Sequence, residues 1–152
     1  DKCTNEVVVF MDDDDYYYNK SVQKRVKKLI LSKKQITGCT IIGSFNINKG
    51  ISFIESSNFE TDFHNRVSIA TLGFYKSFWE NNKFDNESIN EASTMIKNNY
   101  NLFHEISWEE VIVSLVHKYN LTNRITPDTK PNGNYYNFSK GLFNYLVTLQ
   151  NK

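Results

Sequence analysis

Proline, glycine and cysteine are scarce in this sequence, whose 152 residues include two prolines, six glycines and two cysteines. So few breaking residues, together with heavy use of Asn, Lys and Ile, favour helices and suggest an AT-rich genome. Cys3 and Cys39 have no metal-like spacing and make no disulfide framework, which fits a reducing compartment, while a single disulfide stays open. No apolar run reaches the roughly 18 residues of a membrane-spanning helix.

An excess of charge of one sign is also lacking. The formal net charge is +1, so nothing global points to a nucleic acid or to an anionic membrane, and we predict no nucleic-acid partner. The Asn-x-Ser/Thr triplets of so Asn-rich a chain arise by chance and do not indicate secretion. Because the sequence begins with Asp and ends at Lys152, we expect that trimmed ends carried a signal or an anchor.

Motifs for catalysis and cofactor binding are missing as well. The sequence has no phosphate-binding glycine loop, no His-Glu-x-x-His and no Cys-x-x-Cys. His64, His104 and His117 are isolated from one another in the sequence. A Ser-His-Asp site assembled by folding stays open, but no nucleophile turn indicates one. We therefore predict that the chain is not an enzyme and that it binds no cofactor and no metal.

The longest apolar pattern runs from Ser57 to Asn81. Projected at about 100° per residue, it gives one apolar stripe about 100° wide, and further apolar residues lie outside that stripe. Ser57 and Glu60 form a capping box at its start. The pattern predicts a buried helix over about 58–80, the centre of an all-α bundle. The stripe contains Phe59, Phe63, Val67, Ala70, Phe74 and Phe78, while Ile69, Leu72, Tyr75 and Trp79 lie outside it.

Amphipathic partner helices are predicted around this centre. The first has a core stripe of Val22, Val26, Leu29 and Ile30, and the lysines on the rest of its surface are interpreted as a solvated face. The later helices alternate with turns, and residues 120–136 hold both prolines and an Asn-Gly pair, which predicts a long loop. The predicted helices cover about 19–33, 86–103, 108–119 and 138–150.

Residues 36–56 give two conflicting indications. They are rich in β-forming residues and are punctuated by glycines, so local propensity favours two strands. Ile41, Ile42 and Phe45, followed by Ile51 and Ile54, also suit two short helical turns. The flanking helices make the helical interpretation the preferred one.

The first twenty residues suggest a mode of assembly. Residues 7–11 are too apolar to remain in water, and residues 3–11 suit a strand or a buried helical turn equally. Asp12 to Asp15 do not form a calcium loop, because Tyr17 and Gln23 replace the required Gly and Glu. Their mutual repulsion predicts an extended hinge, which favours a domain-swapped homodimer over the alternative, a monomer.

A family resemblance begins at Arg66. This basic residue is followed by VSIATLGF over residues 67–74, and the segment resembles the central helix of the poxvirus Bcl-2-like apoptosis inhibitors of the myxoma and vaccinia type. Residues 118–120 (KYN) and 135–137 (YYN) also resemble the myxoma protein. The resemblance covers roughly residues 50–140. The Asn-Trp-Gly-Arg signature of cellular relatives is incomplete here, since Trp and Gly are missing before Arg66.

This resemblance implies a single Bcl-2-like domain over 1–152 in a viral inhibitor of apoptosis, located in the host cytoplasm or at the mitochondrial outer membrane of the infected cell. Its groove would bind the BH3 helix of pro-apoptotic partners such as Bak, Bax and Bim, with Arg66 pairing with the Asp of the ligand. A membrane would be reached only through a C-terminal anchor absent from this chain. The groove would be lined by Ile41, Ile42, Phe45, Ile51, Ile54, Val67, Ala70 and Phe74.

Two alternative functions remain. Other Bcl-2-like proteins of poxviruses have a closed groove and inhibit immune signalling toward NF-κB, and the sequence ISWEE, residues 106–110, resembles that group. The second alternative is a secreted helical protein, either cytokine-like or chemokine-binding. A closed groove would not bind an isolated BH3 peptide, and a secreted protein would need a signal peptide.

Overall fold

The computed structural model of the chain describes residues 2–55, 61–86, 91–120, 126 and 138–149. These residues form five α-helices and eight strands in two four-stranded sheets, so the fold is mixed α/β and the predicted all-α, Bcl-2-like helical bundle is wrong. Three short 3₁₀ turns, at Ile69–Thr71, Tyr100–Leu102 and Trp108–Glu110, complete the regular structure. The elements in chain order are β1 (Val7–Val9), β2 (Tyr16–Tyr17), α1 (Ser21–Ser32), β3 (Ile36–Gly38), β4 (Ile42–Asn46), β5 (Ile51–Glu55), α2 (Phe63–Arg66), β6 (Gly73–Tyr75), α3 (Lys76–Asn81), α4 (Ser93–Lys97), β7 (Phe103–Glu105), β8 (Ile112–Val116) and α5 (Lys140–Thr148).

Two segments of the chain, one containing β3 and β4 and the other containing β7 and β8, run side by side through both sheets. The first sheet has the order β1-β6-β3-β7, and the second has the order β2-β8-β4-β5. In each sheet the pair formed by these segments is parallel, β3 with β7 and then β4 with β8, while the other pairs are antiparallel. The chain therefore passes from the first sheet to the second between β3 and β4 and again between β7 and β8. Among the described residues, no helix combines the length and apolar character that crossing a membrane would require.

The first sheet is covered on both faces. Ile36 of β3 and Phe74 of β6 are paired and belong to a core that also contains residues of α3 and α4. Thr37 and Gly73 point the other way, as the pleat requires, and face α1. A Cβ atom added at Gly73 would meet Thr37 Cγ2 at 3.2 Å and Arg25 Cβ at 3.7 Å. Glycine at this position lets α1 pack closely on the sheet.

The second sheet has its own core, which α5 completes. Phe45 and Val113 lie on neighbouring strands, and Leu146 of α5 packs in the same cluster; all three are fully buried. The indole of Trp108 lies against Gly43, where an added Cβ atom would come within 2.4 Å of the ring. No side chain other than hydrogen fits there without displacing the indole.

The buried helix predicted over 58–80 is wrong. Its described part forms α2, a 3₁₀ turn, β6 and α3 in succession, and the backbone is extended at Val67 and Leu72, with ψ angles of 120° and 138°. This stretch is apolar on many sides because β6 lies between β1 and β3, where both faces of a strand are covered. In a segment that is buried on both faces, apolar and polar residues do not alternate with a period that would distinguish a strand from a helix. The capping box predicted at Ser57 and Glu60 lies outside the described residues.

The two helical turns predicted within 36–56 are wrong as well. Residues 36–55 form β3 and the β4–β5 hairpin instead, and Gly50 adopts a φ of 64° in the connecting turn. That angle suits glycine because it has no Cβ atom. Local β propensity was the better guide, since both sheets supply the pairing partners that an isolated strand would lack.

Of the amphipathic helices, the first and last are confirmed and the middle two are wrong over most of their length. Within 86–103, only Ser93–Lys97 is α-helical among the described residues, and the range ends in β7. Within 108–119 the chain forms a 3₁₀ turn and then β8, whose five residues are all buried between β2 and β4. The helices predicted over 19–33 and 138–150 are α1 and α5. Apart from Asn120 and Thr126, the predicted loop 120–136 lies outside the described residues.

The N-terminal apolar run is a strand. Val7–Val9 pairs with β6 of the same chain, with Val8 opposite Phe74. The following acidic residues do not form an extended hinge, because the chain turns at Asp13 and Asp14 before entering β2. The swapped homodimer stays a prediction, since an exchanged β1 would make the same ladder on the β6 of a partner.

Candidate functional site

The structure distributes the predicted groove residues over two separate cores. Ile42, Phe45 and Ala70 belong to the core of the second sheet, where Ile54 packs against them, while Val67 and Phe74 belong to the core of the first sheet. Five of these six are buried, and Ile54 is half-buried. They therefore stabilise the fold and do not line a common surface.

The remaining predicted residues do not form a groove either. Ile51 is buried in β5, whereas Ile41 is exposed just before β4. Arg66 ends α2, is half-buried, and places its guanidinium over the Phe63 ring at 5.9 Å from the centroid. The helix on which we expected Arg66 to stand beside an apolar groove is absent.

The acidic run ties the β1–β2 connection to the end of β8. Asp15 Oδ1 accepts hydrogen bonds from Ser114 Oγ and the Leu115 N–H, both at 2.9 Å. Asp14 Oδ2 lies 3.3 Å from His117 Nε2 and also accepts a hydrogen bond from Asn120. One carboxylate oxygen from each of Asp12, Asp14 and Asp15 lies within 4.8 Å of the others. Exposed acidic groups often lie this close without an ion, and these contacts explain the cluster as a structural tie.

Helix α1 buries a different face from the one that the sequence predicted. Its fully buried face consists of Ser21, Arg25 and Leu29, which recur at every fourth residue. The sequence had predicted Val22, Val26, Leu29 and Ile30 as the core stripe, and of these only Leu29 is fully buried. The helix is turned so that Arg25 enters the interior and aliphatic side chains point outward.

The outward face of α1 is therefore apolar as well as basic. Ile30 and Leu31 are 55% and 67% exposed, and Val22 is 45% exposed. At about 100° per residue, Lys27, Ile30 and Leu31 fall within one sector about 100° wide. Two further lysines are exposed at the ends of the helix, one before it and one after it. We call the surface formed by this sector and these two lysines the α1 outward face. It consists of Lys20, Lys27, Ile30, Leu31 and Lys33.

Among the described residues, no carboxylate compensates the charge of this face. Helix α1 contains no acidic residue, and Glu110 is the carboxylate paired with it, at 2.6 Å from Lys24 and 3.6 Å from Lys28. Within the described ranges, Lys20, Lys27 and Lys33 have no carboxylate partner. The hydrogen bond from Lys24 holds the pKa of Glu110 below its ordinary value, and the nearby Lys28 ammonium lowers it further. The face as a whole keeps an excess of positive charge.

Sequence reasoning treated these lysines as an ordinary solvated face and missed the outward aliphatic residues. A signal was present, because Ser21, Arg25, Leu29 and Ser32 also fall on one side of the helix. An arginine in the middle of that set made the correct orientation look unfavourable, since an unpaired charge is costly to bury. The cost is reduced by backbone carbonyls that only the folded chain brings together.

No protein-family model matches this chain, and neither a curated protein nor a solved structure matches it.

Proposed function

We propose that this protein is a binding protein, not an enzyme, and that it attaches reversibly to an anionic membrane surface through the α1 outward face. The observation that carries the proposal is the exposure of Ile30 and Leu31, each more than half exposed, beside lysines that lack carboxylate partners within the described ranges. Interfacial helices combine these two features, because the aliphatic side chains enter the acyl boundary while the lysines contact acidic headgroups.

The expected strength follows from the residues involved. A lysine near an anionic leaflet contributes about 1 kcal/mol, so Lys20, Lys27 and Lys33 together contribute about 3 kcal/mol. Complete burial of an Ile or Leu side chain contributes about 1.5–3 kcal/mol. Since Ile30 and Leu31 are already partly covered, they add about 2 kcal/mol together. A sum of about 5 kcal/mol corresponds to a dissociation constant on the order of 0.1 mM in accessible lipid, which is reversible attachment.

The composition of this face argues against a nucleic acid as the partner. Single-stranded nucleic acid binds on aromatic platforms, and no aromatic residue stands among the lysines of α1. Ile30 and Leu31 would also remain in water against a phosphate backbone. A membrane surface uses both the charges and the aliphatic side chains.

Flotation with lipid vesicles tests the proposal. The chain should float with vesicles that contain phosphatidylserine, should float much less with pure phosphatidylcholine, and should be released by salt because exposed charges are screened. The double variant Ile30→Gln/Leu31→Gln should lower binding at least about tenfold. Tyr119→Gln is its control, because Tyr119 is 76% exposed and lies outside this face.

A second pair of variants isolates the charge. Lys27→Gln/Lys33→Gln should lower binding about 30-fold at low salt and have little effect at high salt. Lys97→Gln/Lys118→Gln removes the same charge from exposed positions elsewhere and should leave binding unchanged. Equal flotation with neutral and anionic vesicles, or full binding by the Ile30/Leu31 variant, would overturn the proposal.

Binding of BH3 helices, which the family resemblance implied, stays a prediction. Six of the nine predicted groove residues are divided between two cores, so a BH3 helix would need a site other than the predicted groove. Calorimetric titration with BH3 peptides tests it directly. Saturable binding that Arg66→Ala weakens would support apoptosis inhibition over the closed-groove and secreted alternatives.

A further inference from the structure

A small apolar pocket lies at the edge of the first sheet, on the side away from the α1 outward face. It has a volume of about 190 Å³ and lies between β1, α3 and the segment that follows α3. Its walls include Phe10, Phe74, Trp79 and Phe84. Val8 and Phe74 both line the pocket, because they pair across β1 and β6 and point to the same face of the sheet.

The pocket walls are aromatic rings packed against one another. The Phe10, Phe74 and Phe84 ring centroids lie 5.5 to 5.9 Å apart, and the Trp79 centroid lies 6.5 Å from that of Phe84. A cavity of about 150 Å³ lined by apolar side chains is large enough for benzene. This pocket therefore has room for one six-membered ring or a short aliphatic chain.

One ammonium group lines the pocket, and a second lies over the ring of its Trp79 wall. Lys76 lines it and donates a hydrogen bond from Nζ to the Cys3 carbonyl at 3.0 Å. Lys83 places Nζ over the Trp79 ring, 3.3 Å from the centroid. Among the described residues, neither ammonium pairs with a carboxylate. Glu6 and Glu80 line the adjoining open depression, which also contains Lys76, but neither carboxylate forms an ion pair with it.

A hydrogen-bond donor is also left over in the wall. The Trp79 Nε1–H is buried and has no acceptor within the described part of the chain. Buried donors are nearly always paired in folded proteins. Its nitrogen is closed to solvent, so this donor lies within the wall and does not open into the pocket.

From these observations we propose that the pocket binds a small apolar carboxylate, such as an aromatic acid or a short-chain fatty acid. The apolar body would lie among the phenylalanine rings, and the carboxylate would pair with the Lys76 ammonium group as a charge-assisted hydrogen-bond acceptor. This site is separate from α1 and stands independently of the membrane proposal.

The unmodified protein already contains a reporter for the site. Cys3 is exposed and lines the pocket, whereas Cys39 is fully buried. Titration with benzoate and hexanoate should slow the reaction of Cys3 with a thiol reagent in a saturable way. Benzyl alcohol and hexanol are the neutral controls, and they should bind about tenfold more weakly because they lack the charge-assisted contact.

Lysine variants then assign the charge. Lys76→Met should lower the affinity for hexanoate about tenfold and leave that for hexanol unchanged. Lys97→Met removes an exposed lysine outside the pocket and should change neither affinity. No saturable protection of Cys3 by any of the four ligands would overturn the pocket as a binding site. Equal affinity for acids and alcohols would overturn the assignment of a carboxylate ligand.

Discussion

Arg25 is the side chain whose position most affects the interpretation of this molecule. It is fully buried, and its Nη1 donates to the Phe10 carbonyl at 2.6 Å, with the Ala70 and Leu72 carbonyls at 3.4 and 3.5 Å. Burial lowers its pKa from the ordinary value, and the nearby Tyr17 opposes that shift. Phe10 follows β1, and Ala70 and Leu72 precede β6, so the guanidinium joins α1 to two distant stretches of backbone.

Replacing Arg25 tests this role. We expect Arg25→Ala to lower the free energy of unfolding by about 3 kcal/mol, because it leaves a cavity and removes the donor to the Phe10 carbonyl. Arg25→Met should cost less, since it fills most of the space and removes a buried charge. Urea unfolding monitored by circular dichroism measures both. A loss in Arg25→Ala as small as that of an exposed-lysine variant would contradict the structural role.

At the scale of elements, an ion pair on its exposed side ties α1 to the 3₁₀ turn before β8. Glu110, in the 3₁₀ turn before β8, pairs with Lys24 and Lys28 of α1. Lys33 ends the helix in the left-handed conformation, with a φ of 56°. The buried face of Ser21, Arg25 and Leu29 sets the rotation of the helix about its axis, and that rotation determines which residues face outward.

The Glu110 interaction predicts a dependence on acid. Because the folded-state pKa of Glu110 lies below the ordinary value of 4.5, its contribution to stability is present above that value and is lost as the pH falls through the folded-state pKa. Glu110→Gln should therefore show a smaller loss of stability between neutral and acidic pH, by well under 1 kcal/mol for so exposed a pair. The control is Glu109→Gln, an exposed neighbour, and urea midpoints at several pH values give the comparison. Identical profiles for the two variants would remove the ion pair from the account.

At the scale of the whole molecule, a polar junction that is buried at Arg25 and Cys39 and half-buried at Tyr17 lies between the two sheets. Tyr17 of β2 donates from its hydroxyl to the Ala70 carbonyl at 3.1 Å and accepts from the Asp12 N–H at 2.8 Å. The Arg25 guanidinium lies 5.6 Å from the Tyr17 ring centroid. Cys39, between β3 and β4, accompanies this junction, and its N–H donates to Thr71 Oγ1. Groups from both sheets thus share one desolvated region.

This region predicts that the fold fails in alkali. Burial raises the pKa of Tyr17 and Tyr18 from 10.0 to about 12, and that of Cys39 from 9.0 to about 12. For acids whose folded-state pKa is raised, stability is complete below the unfolded pKa and is lost as the pH rises toward the folded value. Urea midpoints should therefore fall between about pH 9 and pH 12.

Tyrosine variants identify the source of that loss. Tyr17→Phe should flatten the alkaline decline, although it costs some stability at neutral pH through its lost hydrogen bonds. Tyr119→Phe is the matched control, because that tyrosine is 76% exposed. An unchanged alkaline slope in Tyr17→Phe would show that the buried phenol is not responsible.

Local pattern and propensity were enough to predict two helices, the strand-forming composition of 36–55 and the apolar character of nearly every core segment. They were not enough to show that residues 73–75 and 112–116 are strands, because segments buried on both faces lose the period that separates helix from strand. Local pattern and propensity were also not enough to predict the rotation of α1 about its axis. Arg25 is inside and Ile30 outside because three carbonyls distant in sequence meet at one point in space. The predicted groove residues do not come together either, because strand pairing in the two sheets places most of them in two different cores.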